Sequence, residues 1–292
     1  VICNKEKMMT DYTIDFYQIL VTSTANIPDV ASGFVQMIQG GIPTSHTVDG
    51  MTRELWGLTN RTINNSLGGQ FRKFRVSDLP EIGAVGEDAI ELALAQNQGL
   101  IERNFFVYYR QNNLLAWHKN GHGSHPSRLA KFLTELWGTK VEINPIINRD
   151  AIQRLMNGNT VIKGIDITLP IPTNPDLFNN DNYGRDMLRI MDNSGSSSMK
   201  IHLGVDLRRD KQGHLSADIK QTLYNAFRAG ATTARAYVEE EGFSHPIDLV
   251  ADRLSSKQRS QTNGRYLPAA SMYQLIDTAR ADCQEAINGY FT

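Results

Sequence analysis

Residues 105–147 read FFVYYRQNNLLAWHKNGHGSHPSRLAKFLTELWGTKVEINPII, and how this stretch folds decides the rest. Phe105 to Tyr109 form an unbroken aromatic and β-branched run, Gln111-Asn112-Asn113 is turn chemistry, and Leu114 to His118 resume an apolar strand pattern. That spacing predicts a β-hairpin. A polar loop broken by Gly121 and Gly123 follows, running to Pro126. Leu129, Phe132, Leu133, Leu136 and Trp137 then recur at helical spacing, with Ser127 as the N-cap and Gly138 as the stop. Residues 141–147 return as a strand. A hairpin, a loop rich in backbone N–H groups and a helix start together make one obvious place to meet a ligand.

Working outward, residues 12–22 alternate as a first strand, 25–38 carry Val30, Phe34, Val35 and Ile38 as a helix, and 52–58 read as a strand. Residues 78–99 open as a loop and become a helix, with Glu87 and Asp88 at its positive end. Downstream come a helix at 149–156, a strand at 160–170 and a proline- and asparagine-rich loop at 171–182, the best internal boundary. Helix 183–191, strand 199–208, helix 216–230 and strand 232–239 follow. Residues 247–254 fit either type, 255–265 are polar and flexible, and 269–291 close the chain as one long helix, buried in its own core or forming a subunit interface. Strands and helices mix without strict alternation, which predicts an α+β fold of mixed or antiparallel sheets with flanking helices. The expected division is 11–170 against 183–292, or one compact unit.

The 292 residues are enough for one large or two packed domains, and 40% hydrophobic with 21% charged residues is ordinary for a globular chain. A net charge of −1 means that any polyanion-binding face is local. Cys3 and Cys283 sit in no CxxC or Cys/His cluster, which argues against a disulfide framework or zinc finger and fits a reducing cytosol. No apolar run is long enough to span a bilayer, and residues 1–10 lack the apolar region of a secretory signal. The expected location is cytoplasmic, without membrane insertion.

Two zones carry local positive charge. Between Arg53 and Arg75 five cations face one acid, with Arg72, Lys73 and Arg75 interleaved with Phe71 and Phe74. Such a pattern suits a nucleic-acid backbone, because guanidinium neutralises phosphate and rings stack on bases; it equally suits an edge strand protected by its cations. Between Arg185 and Arg235 nine cations face five acids, with Arg208, Arg209 and Lys211 at an expected hairpin tip. In the central loop, His122, Ser124 and His125, with Arg128 at the helix start, could offer N–H groups to an anion or serve only as turn and cap. His118, His122 and His125 have no carboxylate among them and the glycines preclude a helix, so no metal or other cofactor is expected. Asp218-Ile219-Lys220 matches a D-x-K nuclease pattern on paper but falls in the first turn of a helix, where an acid complements the dipole. No Walker A, GxGxxG, HExxH or GxSxG motif occurs, so no catalytic residue is assigned.

The hairpin-loop-helix of 105–138, the return strand through Glu142-Ile143-Asn144-Pro145, the strand at 160–170, the strand–turn–helix of 199–227 and the terminal helix together resemble the RexA-type phage-exclusion proteins. More loosely they resemble the KwaB subunit of the Kiwa anti-phage system. The likeness runs from about residue 100 onward and lies in element order and short apolar patterns. It implies a cytoplasmic, dimeric, non-enzymatic binder of double-stranded DNA acting in phage defence without sequence preference. Arg72, Lys73, Arg75, Arg128, Arg208, Arg209 and Lys211 are the charge-based candidates for phosphate contact. The rival readings are a metal-dependent nuclease with an unfamiliar site and a module that senses a phage or defence-system protein.

Overall fold

In the computed structural model, which describes residues 8–95, 98–147, 149–172, 174–206, 208–210, 212–240, 243–262 and 266–291, the 105–119 hairpin lies in the middle of a large sheet. The elements in chain order begin with β1 (Met8–Val21), α1 (Val30–Ile38), β2 (Ser45–Val48), β3 (Met51–Arg61), β4 (Ser66–Arg75) and β5 (Leu100–Tyr109). They continue with β6 (Leu114–Lys119), α2 (Pro126–Trp137), β7 (Val141–Pro145), α3 (Arg149–Met156), β8 (Val161–Pro170), α4 (Asn182–Ser194) and β9 (Ser198–Gly204). The chain closes with α5 (Ile219–Arg228), β10 (Thr233–Glu240), β11 (Phe243–Asp248), β12 (Ser255–Thr262), α6 (Ala269–Asp282) and α7 (Gln284–Phe291). The class is α+β.

Two units emerge. The first holds residues up to Ile143 together with Ser256–Asp282, and the second holds Asn144–Ser255 and the residues from Cys283 on. The division falls before the 171–182 loop, because β8 pairs with β9 and β10 and so draws its residues into the second unit.

In the first unit the strand order is β12-β1-β6-β5-β4-β3-β2, with β7 also on β1. Two of its hairpins turn on asparagine pairs in the left-handed region: Asn112 and Asn113 (φ 62° and 49°) between β5 and β6, and Asn64 and Asn65 (φ 56° and 46°) between β3 and β4. Asparagine tolerates that conformation better than other non-glycine residues, which is why such pairs close tight hairpins. Strand alternation sends Leu67, Phe71, Phe106, Tyr108, Leu115 and Trp117 to one face, where α1 and α2 cover them. Phe34 of α1 packs against Phe106, Tyr108 and Trp137, with ring centroids 5.3–6.1 Å apart. Each such ring contributes roughly 2–3 kcal/mol of burial. Gly33 permits the approach of α1 to α2, because a Cβ there would lie 2.7 Å from the Trp137 ring.

Several elements differ from the reading of the sequence, among them β2, β11 and the end of β9 at Gly204, and four show the physical reason. The helix of α2 is capped by His125, whose Nδ1 accepts the Ser127 N–H at 3.2 Å, and not by Ser127. Pro126 takes the first helical position, where its missing N–H costs nothing, and this moves the cap one step back. The described residues of 78–99 form no helix; Pro80, Gly83 and Gly86 interrupt them, and an Ile82–Ile90 bridge folds them into a small extended arm. Ile82, Val85 and Ile90 remain exposed there, so no apolar face is buried that could hold a helix. The polar stretch at 255–262 is strand β12, pairing with β1 at a sheet edge, where alternating polar residues are tolerated. The closing helix is two, separated at Cys283.

The second unit is a four-stranded antiparallel sheet, β11-β10-β8-β9. Its apolar face, including Ile165, Ile167, Ala234, Ala236 and Val238, packs against α5 through Leu223, Ala226 and Phe227. The other face carries charged side chains.

Candidate nucleic-acid interface

On the face of the first sheet opposite α1 and α2, helix α6 covers only part of the surface. It is fixed there by Asp277, which accepts hydrogen bonds from the Tyr109 hydroxyl (2.8 Å) and both guanidinium ends of Arg61 (3.1 and 2.5 Å). Burial pushes the Tyr109 hydroxyl far above the usual phenol range, so it stays a donor to the Asp277 carboxylate. Tyr273 of α6 stands edge-on to Phe105, and Arg61 lies over the Tyr273 ring.

Beyond α6 the face is open, and alternation gathers a row across β3, β4 and β5. Arg72 and Arg103 stand directly opposite one another in the β4–β5 register, on one face. The Arg72 guanidinium lies 4.3 Å from the centroid of the Trp56 ring, and its Nε donates to the Gln70 Oε1 at 3.2 Å. Arg103 lies over Phe105 at 5.1 Å and within 6.0 Å of the Tyr266 ring. Trp56 is 50% exposed and Tyr266 77% exposed, so two rings present themselves to solvent at the ends of a pair of partly covered arginines, the Arg72 side chain 14% exposed. Stacked guanidinium groups of this kind hold their N–H edges in fixed directions.

The electrostatics of the row are unbalanced. Among the described residues Glu54 is the one carboxylate paired with these two arginines, at 3.7 Å from Arg72, and Arg103 has no carboxylate partner. Burial lowers the pKa of Arg72, Glu54 raises it and the neighbouring Arg103 lowers it again. Two like charges held side by side with one carboxylate for the two, Glu54 opposite Arg72 in the β3–β4 register, leave a net positive charge that favours the arrival of an anion.

The other candidates from the sequence are placed differently. Lys73 and Arg75 point to the opposite face and share Glu102, at 2.5 and 3.6 Å; Lys73 also donates to the His122 carbonyl at 3.0 Å. Arg128 pairs with Asp49, which Lys131 also holds at 2.6 Å. Lys73 and Arg75 thus share one carboxylate on the other face, Arg128 shares Asp49 with Lys131, and of the three candidates on β4 only Arg72 faces the open row. Arg208 and Arg209 are exposed in the second unit, Arg209 with Asp206 at 3.5 Å, on the connection between β9 and α5. Lys211 lies outside the described residues.

In the central loop several backbone donors are engaged within the fold, while the Ser124 Oγ is buried without a hydrogen-bond partner. The His122 N–H goes to Asn120 Oδ1 (3.1 Å), the Gly123 N–H to the Asn120 carbonyl (3.0 Å) and the Ser124 N–H to Asn104 Oδ1 (2.7 Å). The Arg128 N–H goes to the His125 carbonyl (2.9 Å), and His125 is the cap. Of the backbone N–H groups expected to cradle an anion, those of His122 and Ser124 are bonded inside a loop pinned by Asn104, which is 1% exposed. Gly123 is required because a Cβ there would sit 2.3 Å from Asn104 Oδ1. His118 lies apart, between Tyr12 and Phe105 in the sheet face, where burial, helped by Arg103, pushes its pKa down to about 4. Asp218 stands at the start of α5, and Lys220 turns its Nζ to the Asn157 carbonyl at 2.6 Å, so the D-x-K pair does not converge.

The charged face of the second sheet has a registered row of its own: Asp248, Arg235, Asp166 and His202, one from each strand. Arg235 bonds Asp248 at 2.7 and 3.1 Å, and Asp166 accepts from the Tyr237 hydroxyl and meets His202 Nδ1, both at 2.6 Å. The Tyr237 and His202 hydrogen bonds hold the Asp166 carboxyl below its usual range.

Trp56, Arg103 and Tyr266 escaped the reading of the sequence. The signal for one of them was present: in Ile101-Glu102-Arg103-Asn104-Phe105 alternation puts Arg103 on the face of Phe105, opposite Glu102. Among curated proteins none matches the chain. Residues 66–268, well over half of the sequence and including Arg72, Arg103 and Tyr266, match the family of unknown function DUF6731, to which this chain belongs.

Proposed function

We propose that the protein is a non-enzymatic, sequence-nonspecific DNA-binding protein and that it binds through the open face of its first sheet. The observation that carries this reading is the pair Arg72 and Arg103, side by side between two exposed rings with a single carboxylate 3.7 Å from one of them. Guanidinium groups neutralise phosphate irrespective of sequence, and ring faces accept any base.

The biological setting proposed is phage exclusion in the bacterial cytoplasm, with the protein acting as a homodimer; its support is the resemblance to RexA-type proteins. Among the described residues no helix is long and apolar enough to cross a membrane. The direct test is fluorescence anisotropy with a labelled random-sequence DNA of about 30 nucleotides, single-stranded and duplex, at about 50 mM salt. Binding that survives sequence scrambling and weakens in an Arg72→Ala/Arg103→Ala variant supports the proposal. Absence of binding to both forms overturns it. Plating of phage on cells carrying wild type or the double variant tests the setting: loss of protection in the variant supports it, and equal plaque counts with and without the wild-type protein contradict it.

A further inference from the structure

Resting on that reading, we infer that the row takes single-stranded polynucleotide and not duplex. Trp56 and Tyr266 expose their rings on an open sheet face, each with an arginine beside it. In a duplex the base faces are stacked on one another and cannot reach such rings, whereas an unpaired strand can lay a base on each. The arginines fit the same occupant. Arg72 lies over the Trp56 ring, Gln70 takes its Nε and Glu54 stands 3.7 Å from one terminal nitrogen, so its remaining N–H groups meet a phosphate beside a base stacked on the indole.

A duplex needs cations on a broad front, to follow two phosphate backbones across a groove. The cations that could widen this front are engaged elsewhere: Lys73 and Arg75 lie on the other side of the sheet against Glu102, Arg128 is held by Asp49, and on the same face Arg61 is bonded to Asp277 and Arg280 lies over the Tyr109 ring beside α6. What remains is narrow. Three adjacent strands span about 10 Å, the length of about two or three nucleotides of one strand. The chemistry recognised is therefore phosphate–base–phosphate of an unpaired strand, and deoxyribose and ribose strands share it.

The experiment compares oligo-dT and oligo-rU of about 20 nucleotides with a duplex of equal length, by anisotropy across a salt series. At least one single strand binds tenfold or more tighter than the duplex, and its log K falls with log salt at a slope of about −1.4, two phosphates at about −0.7 each. The dT and rU arms show which sugar is favoured. Trp56→Ala weakens single-strand binding by about 5- to 100-fold while Trp56→Phe retains most of it. Trp56 is half exposed, so the variant folds, and a thermal melt confirms that it does. Duplex binding equal to or tighter than both single strands overturns this inference and leaves the DNA-binding reading standing. Binding to none of the three overturns both.

Discussion

The first and second sheets each place a row of charged side chains across their strands, and the two rows end in opposite states. In the second unit, Asp248 is bonded to Arg235 and Asp166 to His202, at 2.6–3.1 Å, so the arginine has its own carboxylate and the imidazole another. In the first, Arg72 and Arg103 adjoin, backed by rings, with Glu54 at 3.7 Å. One row is satisfied by its own fold and the other is left asking for negative charge. The difference teaches that the number of cations in a segment is a poor guide to a binding surface; what counts is which carboxylates the strand register sets opposite them.

The comparison breaks most visibly if both arginines of the first row are removed. Arg72→Ala/Arg103→Ala lowers affinity for single-stranded DNA by about 50-fold or more, because two charge-assisted hydrogen bonds to phosphate go at once; anisotropy at low salt reads the change. A tenfold loss follows from making the first row resemble the second. Gln70→Glu, placing a carboxylate where Gln70 now accepts from Arg72, neutralises the pair and weakens binding about tenfold without removing a cation. If that variant binds as tightly as wild type, the unbalanced charge is not what recruits the ligand.

A third expectation concerns the histidine beneath the first row. His118 is neutral in the folded protein, with a pKa of about 4, and its unfolded value is 6.5. Between those values the unfolded chain binds a proton that the folded chain does not, so stability is full above about pH 6.5 and declines as pH falls toward 4. Between pH 8 and 5 denaturant melts of the wild type should lose about 2 kcal/mol from this group. His118→Phe should flatten that slope; an unchanged slope would show that the imidazole is not buried as described. The smallest effect belongs to the second row: His202→Ala and Arg235→Ala should leave single-strand affinity within about twofold of wild type. A larger loss from either would move the interface into the second unit.

Much of the fold is legible in the sequence because its signals are local. The 105–119 hairpin, α2, β8 and α5 each carry their own period, and Asn112-Asn113 carries its own turn. The arm at 78–95 and β12 are not legible in this way because their state depends on what they pack against: the arm finds no surface to bury an apolar stripe, and β12 finds β1. The site is less legible for the same reason. Charge counted from Arg53 to Arg75 gives a strong positive balance, but Glu102, which pairs with Lys73 and Arg75, lies outside that window, as does Asp49, which pairs with Arg128. Conversely, Trp56, Arg103 and Tyr266 come from three distant segments, and only the β3–β4–β5 pairing and the approach to α6 bring them into one row.

Trp56 offers the most direct measurement. Of the three tryptophans, Trp117 and Trp137 are buried in the core and Trp56 alone is exposed, so quenchable emission reports on the row itself. Titrating oligo-dT into the protein while following tryptophan fluorescence should give saturable quenching that protects Trp56 from iodide and disappears in Trp56→Phe. An emission and iodide accessibility that do not change at DNA concentrations where anisotropy shows binding would place the ligand elsewhere and contradict the account.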